Sequence, residues 1–192
     1  MRGRYIYVVI LLLFISTTYS QSHNILNWNN DTSFYFYSTD VNAENLIRIK
    51  INFENNLDKK EILDSIASQL TSTYFFPKNN FSEKKRKINI RLQMINEIIL
   101  PERNYYIATV NIEDPDKICL TAYFQGSTGG YITFLILVSN FMQPQLKNPL
   151  IDGIVFLYND AELKMMDHIN LEGLISEREI DNIVRNKLVV GQ

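Results

Sequence analysis

Residues Gly153–Ser176 read GIVFLYNDAELKMMDHINLEGLIS, and three kinds of segment follow one another in that run. Ile154–Tyr158 is apolar, with the β-branched and aromatic residues that suit a strand. Asn159 and Asp160 are turn formers, and Ala161–Leu163 can return beside the strand as a hairpin. From Met165 onward neither a period of two nor one of 3.6 holds.

Immediately upstream stands GSTGGYITFLILVSNFMQPQ, Gly126–Gln145, where almost every position from Tyr131 to Met142 is apolar. A buried helix and a buried strand look alike in such a run. Its length and the caps offered by Ser127 or Thr128 favour a helix, whereas Ile132, Thr133, Ile136 and Val138 favour a strand. The reading adopted is a helix. Gly126, Gly129 and Gly130 do not make a phosphate loop, because the required spacings and the lysine are missing.

Three strands are expected before it. Ile88, Ile90, Leu92 and Met94 alternate; Tyr105–Ile112 follows, with Ile107 sharing a face with Tyr105, Thr109 and Asn111; Ile118–Phe124 comes after the Asp114-Pro115-Asp116 turn. The short turns imply antiparallel neighbours. Further back, Asp58 and Glu61 form a capping box ahead of the stripe Ile62, Leu63, Ile66, Ala67 and Leu70, which predicts a helix laid on a sheet. SFYFYS and LIRIKINFE predict an antiparallel hairpin, the second strand carrying Ile47, Ile49, Ile51 and Phe53 on one face.

The chain of 192 residues, 46% apolar and 21% charged, has room for one core, and a net charge of −2 gives no field to attract nucleic acid. The basic run Lys78–Lys87 reads as a solvated loop. At the N-terminus Arg2 and Arg4 precede the apolar Tyr5–Ile15 and the small residues Thr18 and Ser20, the three-part pattern of a secretory signal peptide cleaved after Ser20. Residues 1–20 are therefore expected to be a signal peptide and 21–32 a flexible lead-in. The location is expected to be extracytoplasmic: periplasmic, cell-envelope or secreted. The membrane is a partner only if that segment stays uncleaved. Cys119, the single cysteine, reads as a small buried hydrophobe, so the domain must stand without an internal disulfide.

The order of these segments resembles the GerMN domain, named for a bacterial spore-germination protein and found in related extracytoplasmic proteins. FYFYSTD with LIRIKINFE is similar to that domain's opening hairpin, and EILDSIASQL to its first helix. YIATVNIEDPDKICLTAYFQGS looks like its central hairpin, ending on the pair Gly126-Ser127, and ITFLILVSNFMQ takes the place of its second helix. IVFLYNDAEL resembles its last hairpin, and the phrase Asp167-His168-Ile169-Asn170-Leu171 its closing element, which implies that the closing stretch returns over the sheet with Ile169, Leu171 and Leu174 pointing inward. The resemblance covers residues 33–176. It implies an α+β fold, a single mixed and largely antiparallel sheet with two helices packed on it. Residues 177–192 extend beyond it, where Ser176 and Glu179 make another capping box and Ile180, Ile183, Val184 and Leu188 a narrow stripe, read as a C-terminal helix.

Chemistry-bearing patterns are sparse. His23 and His168 are far apart in the chain, and neither HExxH nor a cysteine cluster occurs, so no catalytic, cofactor-binding or metal-binding residue is assigned and no cofactor is expected. Asp152, Asp160, Glu162 and Asp167 are close in sequence but stand at turn positions. The resemblance implies a non-catalytic exported binding module whose partner is peptidoglycan or another envelope protein. Tyr35, Tyr37, Tyr105 and Tyr123 would add contact area wherever they face outward. Two rivals stand beside it. One is an envelope hydrolase assembled from Ser127, Asp167 and His168; the other is a subunit that assembles through its C-terminal helix.

Overall fold

The computed structural model describes residues 33–40, 46–53, 57–75, 88–164 and 169–176. The expected signal peptide, lead-in, basic loop and C-terminal helix lie outside the described residues, as do Asp167 and His168. The elements run β1 (Phe34–Thr39), β2 (Leu46–Ile51), α1 (Lys59–Gln69), β3 (Asn89–Ile99), β4 (Asn104–Glu113), α2 (Ser127–Met142), β5 (Gly153–Tyr158), β6 (Ala161–Glu162) and β7 (Leu174–Ser176). The class is α+β, with a mixed sheet and a few helices.

Helix α1 begins as its sequence dictates. The Asp58 carboxylate accepts from the Glu61 backbone N–H at 2.8 Å, and Glu61 reaches back to the Asp58 N–H at 2.8 Å. Ile62, Leu63, Ile66 and Ala67 of this helix and Leu70 just after it are all buried, and α1 lies against β3. A wide turn, closed by Phe75 N–H donating to Leu70 O at 3.0 Å, then buries Phe75.

Strands β3 and β4 are antiparallel, and β4 and β5 are parallel, which requires the crossover that α2 supplies. The expected third strand, Ile118–Phe124, is instead a wide helical turn, Cys119–Tyr123, closed by Phe124 N–H donating to Cys119 O at 2.7 Å. Asp114 overrides the strand propensity there. Its buried carboxylate accepts from the backbone N–H groups of Ile118 at 2.8 Å and Cys119 at 2.6 Å and from the Tyr158 hydroxyl at 2.8 Å.

The Asn159-Asp160 turn has φ of 51° and 62°, the left-handed pair that a two-residue hairpin requires and that Asn and Asp tolerate. The closing stretch is described from Ile169 onward. It adds β7, antiparallel to β5 and on the same side of it as β6. Ile169 and Leu171 are buried as expected, whereas Leu174 is 54% exposed and Ile175 takes the inward position. Alternation along the strand, entered through Gly173 at φ 71°, sets that phase. At Gly153 a Cβ would come within 2.8 Å of Leu174 Cδ1 and 3.2 Å of Ile175 O, so β7 closes over a residue without a side chain.

Helix α2 is confirmed, but neither Ser127 nor Thr128 caps it; Gly126 stands at the N-cap with no side-chain bond. Twelve of its residues are buried because it packs on two sides, against β1 and β2 and against β5. The hairpin β1–β2 forms its own two-stranded sheet among the described residues, where a single sheet was expected. Side-chain amides occupy the edge of β1 that would face another strand. Asn140 accepts from Tyr37 N–H at 3.0 Å and donates to Tyr37 O at 2.8 Å, and Gln143 does the same for Tyr35 at 2.9 and 2.7 Å. Gln145 donates to Ser33 O at 3.1 Å and accepts from the Tyr37 hydroxyl.

Candidate functional site

Of the described carboxylates that are neighbours in sequence, Asp152 and Asp160 do not converge. Asp152 precedes β5 and Asp160 follows it, which separates them by about 20 Å along the strand. Asp160 accepts from Asn111 Nδ2 and Gln93 Nε2, both at 2.7 Å, and Glu162 is exposed. Ser127 is exposed at the start of α2. Cys119 is buried beside Asp114, and burial pushes its thiol far up, so it is not a nucleophile at neutral pH. Among the described residues no three His, Cys, Asp or Glu side chains gather to hold a metal ion.

The tyrosines separate. Tyr37 is buried. Tyr123 packs on Tyr74 and Phe75, with ring centroids 5.5 and 5.0 Å away, and Tyr35 lies under the Arg48 guanidinium at 4.3 Å. Tyr105 belongs to a different setting, which alternation by itself did not reveal.

Strand β4 pairs with β3 from Asn104 onward but with β5 only from Ile107 onward. The far end of the β3–β4 pair therefore projects past the sheet as a two-stranded ribbon. Asp152 braces its base. The Asp152 backbone N–H donates to Tyr106 O at 2.7 Å, and its carboxylate accepts from Tyr106 N–H at 2.8 Å, which lengthens the ladder by one step. The second carboxylate oxygen meets Arg103 Nη1 at 2.9 Å, and the Arg103 guanidinium lies 4.1 Å from the Tyr105 ring centroid. Lys59, at the first turn of α1, places Nζ 3.3 Å from the Tyr106 ring centroid. Burial lowers the Lys59 pKa, opposed by Asp152 and Glu97. Glu97 accepts from the Tyr106 hydroxyl at 3.0 Å and from Asn104 Nδ2 at 2.6 Å. That hydrogen bond raises the Tyr106 pKa.

Beyond this fixed base the ribbon presents apolar side chains to solvent: Ile98 at 47%, Ile99 at 75% and Leu100 at 45% exposure. Exposed isoleucine and leucine beside tyrosine and arginine match the make-up of a protein-binding surface, where aromatic residues and Arg are enriched. The arrangement offers contact area and hydrogen bonds.

The class defined to this point is an α+β domain with a mixed sheet and a projecting ribbon. Comparison with protein-family models, curated protein sequences and solved structures returned no match.

Proposed function

We propose that this chain is an exported, non-catalytic recognition domain of the bacterial cell envelope, a divergent relative of the GerMN domain, that binds a partner through its β3–β4 ribbon. Residues 1–20 act as its signal peptide, and residues 177–192 form a C-terminal helix on the domain. The observation that supports recognition most is the exposure of Ile99 and Leu100 on a ribbon whose base is fixed by Asp152, Arg103 and Glu97. Exposed apolar side chains on a braced arm cost solubility and bring no core stability, so they call for an external contact. Of the two partners implied by the resemblance, an envelope protein suits these apolar groups better than cell-wall polymer.

The test is a binding assay with solubilised envelope proteins and purified peptidoglycan, using the mature chain and its Ile99→Asp variant. Stoichiometric capture of one envelope protein, lost at least tenfold in the variant, is the expected result. Equal capture by both forms, or capture of neither material, refutes the reading.

A further inference from the structure

Strand β1 is bonded along both edges, by main chain on one and by side chains on the other. Its pairs with β2 run from Phe34↔Ile51 to Thr39↔Leu46. The main-chain groups of Ser33, Tyr35 and Tyr37, every second residue, point the other way and meet the amides of Gln145, Gln143 and Asn140. All three amide side chains are buried, as are Phe36 and Tyr37 of the strand. Among the described residues no strand pairing joins this hairpin to the five-stranded sheet, and its main seat in the body is α2.

That seat is organised from its own side. A primary amide carries two N–H donors, and in each of the three one goes to β1 while the other stays within α2 and the turn after it. Asn140 Nδ2 also donates to Ile136 O, Gln143 Nε2 to Asn140 O and Gln145 Nε2 to Gln143 Oε1, each at 2.8 Å. Gln143 itself sits at φ 45° and ψ 61°, a left-handed conformation disfavoured for a residue with a Cβ, with its N–H donating to Ser139 O at 3.0 Å. These bonds keep the amide row aligned whether or not β1 is present. The hairpin has no such independence, because two isolated strands are marginal in water and are ordered by what they dock on.

We infer that the β1–β2 hairpin is a flap that leaves α2 as one unit, at a lower free energy than global unfolding, and returns to an amide row that has kept its shape. Supersecondary units of this kind are where sub-global opening occurs. Opening breaks the bonds to Asn140, Gln143 and Gln145 and leaves the pairings of β3, β4 and β5 intact. This inference does not depend on what the ribbon binds.

Native-state hydrogen exchange of the full chain in low urea tests it. The amides of Tyr35, Phe36, Tyr37 and Ile49 should share one opening constant, at least tenfold larger than that of Ile112 and Ile154 in the main sheet. Val110, buried in β4, supplies the discriminating variant. Val110→Ala weakens the main sheet equally whether the hairpin is docked or not. It should therefore speed exchange at Ile112 and Ile154 at least tenfold and leave the hairpin amides within twofold of the parent. Asn140→Leu, by contrast, should speed the four hairpin amides together at least tenfold. One opening constant shared by hairpin and sheet in the parent overturns the inference, as does equal acceleration of both by Val110→Ala. Exchange of Tyr35 and Tyr37 without Phe36 and Ile49 overturns it too, because β1 would then fray from the amides and the hairpin would not move as a unit.

Discussion

Asn140 and Gln143 make the end of α2 a surrogate strand. Each carboxamide returns one donor and one acceptor to β1, as a neighbouring strand would, and both side chains are buried. Replacing Asn140 by Leu keeps the volume and strands the N–H and C=O of Tyr37 in the interior. A buried unpaired polar group costs about 1 to 3 kcal/mol, so Asn140→Leu is expected to lose roughly 2 to 5 kcal/mol in urea unfolding. A loss below about 1 kcal/mol would show that the hairpin is held by packing alone. Tyr74 makes a second statement at this scale. Burial raises its pKa from 10.0 to about 12, against a weaker opposing effect of its 2.9 Å hydrogen bond to Thr133. A folded-state pKa above the unfolded one gives stability that is complete below pH 10 and fades as pH rises toward 12. The loss attached to Tyr74 is on the order of 2 to 3 kcal/mol. Urea midpoints between about pH 9 and 11 should therefore fall less steeply in Tyr74→Phe than in the parent chain. Equal slopes would contradict the assignment.

Among the elements, α1 was legible because two independent signals, the Asp58–Glu61 box and the apolar stripe, agree on where it starts and which side it buries. Helix α2 was harder, since burial on two sides erases the periodicity that would mark it. Ile118–Phe124 reads as a strand by composition and folds as a helical turn because one carboxylate, Asp114, collects the N–H groups that open it. The signal was present as an Asp-Pro pair, a turn initiator, but its reach to Tyr158 is a tertiary fact. Asp114→Ala should loosen this turn and expose Cys119, speeding its reaction with a thiol reagent at least tenfold. An unchanged rate would mean that packing holds the turn without Asp114. In β3, a bulge between Leu92 and Met94 reverses the alternation, which leaves Met94 half exposed while Ile88, Ile90 and Leu92, read in the same alternation, are buried. Similarly, Ile49 on β2 is 44% exposed despite standing on the face read as apolar.

At the scale of the whole molecule, the order of the first hairpin, α1, β3, β4, α2 and β5 could be read from the sequence, whereas the helical turn at Cys119–Tyr123, the strand β7 and the division into a main sheet and a separate hairpin could not. That division depends on amides more than a hundred residues from β1 in the chain. The ribbon was equally hidden, because its projection is set by where β5 stops pairing with β4 and not by anything within residues 97–106. Tyr105 was legible as an aromatic on a strand; Lys59 over Tyr106 and Asp152 beside Arg103 were not, since they come from two other segments.

The central claim is that this domain recognises a partner with the end of that ribbon. A photo-crosslinking amino acid placed at position 99, compared with one at Lys164 on the far side of β5, measures it most directly in intact envelope. One discrete protein adduct from position 99 and none from position 164 is the expected result. Adducts of equal yield from both positions, or none from either with peptidoglycan cleaved on incubation with the purified chain, would contradict it.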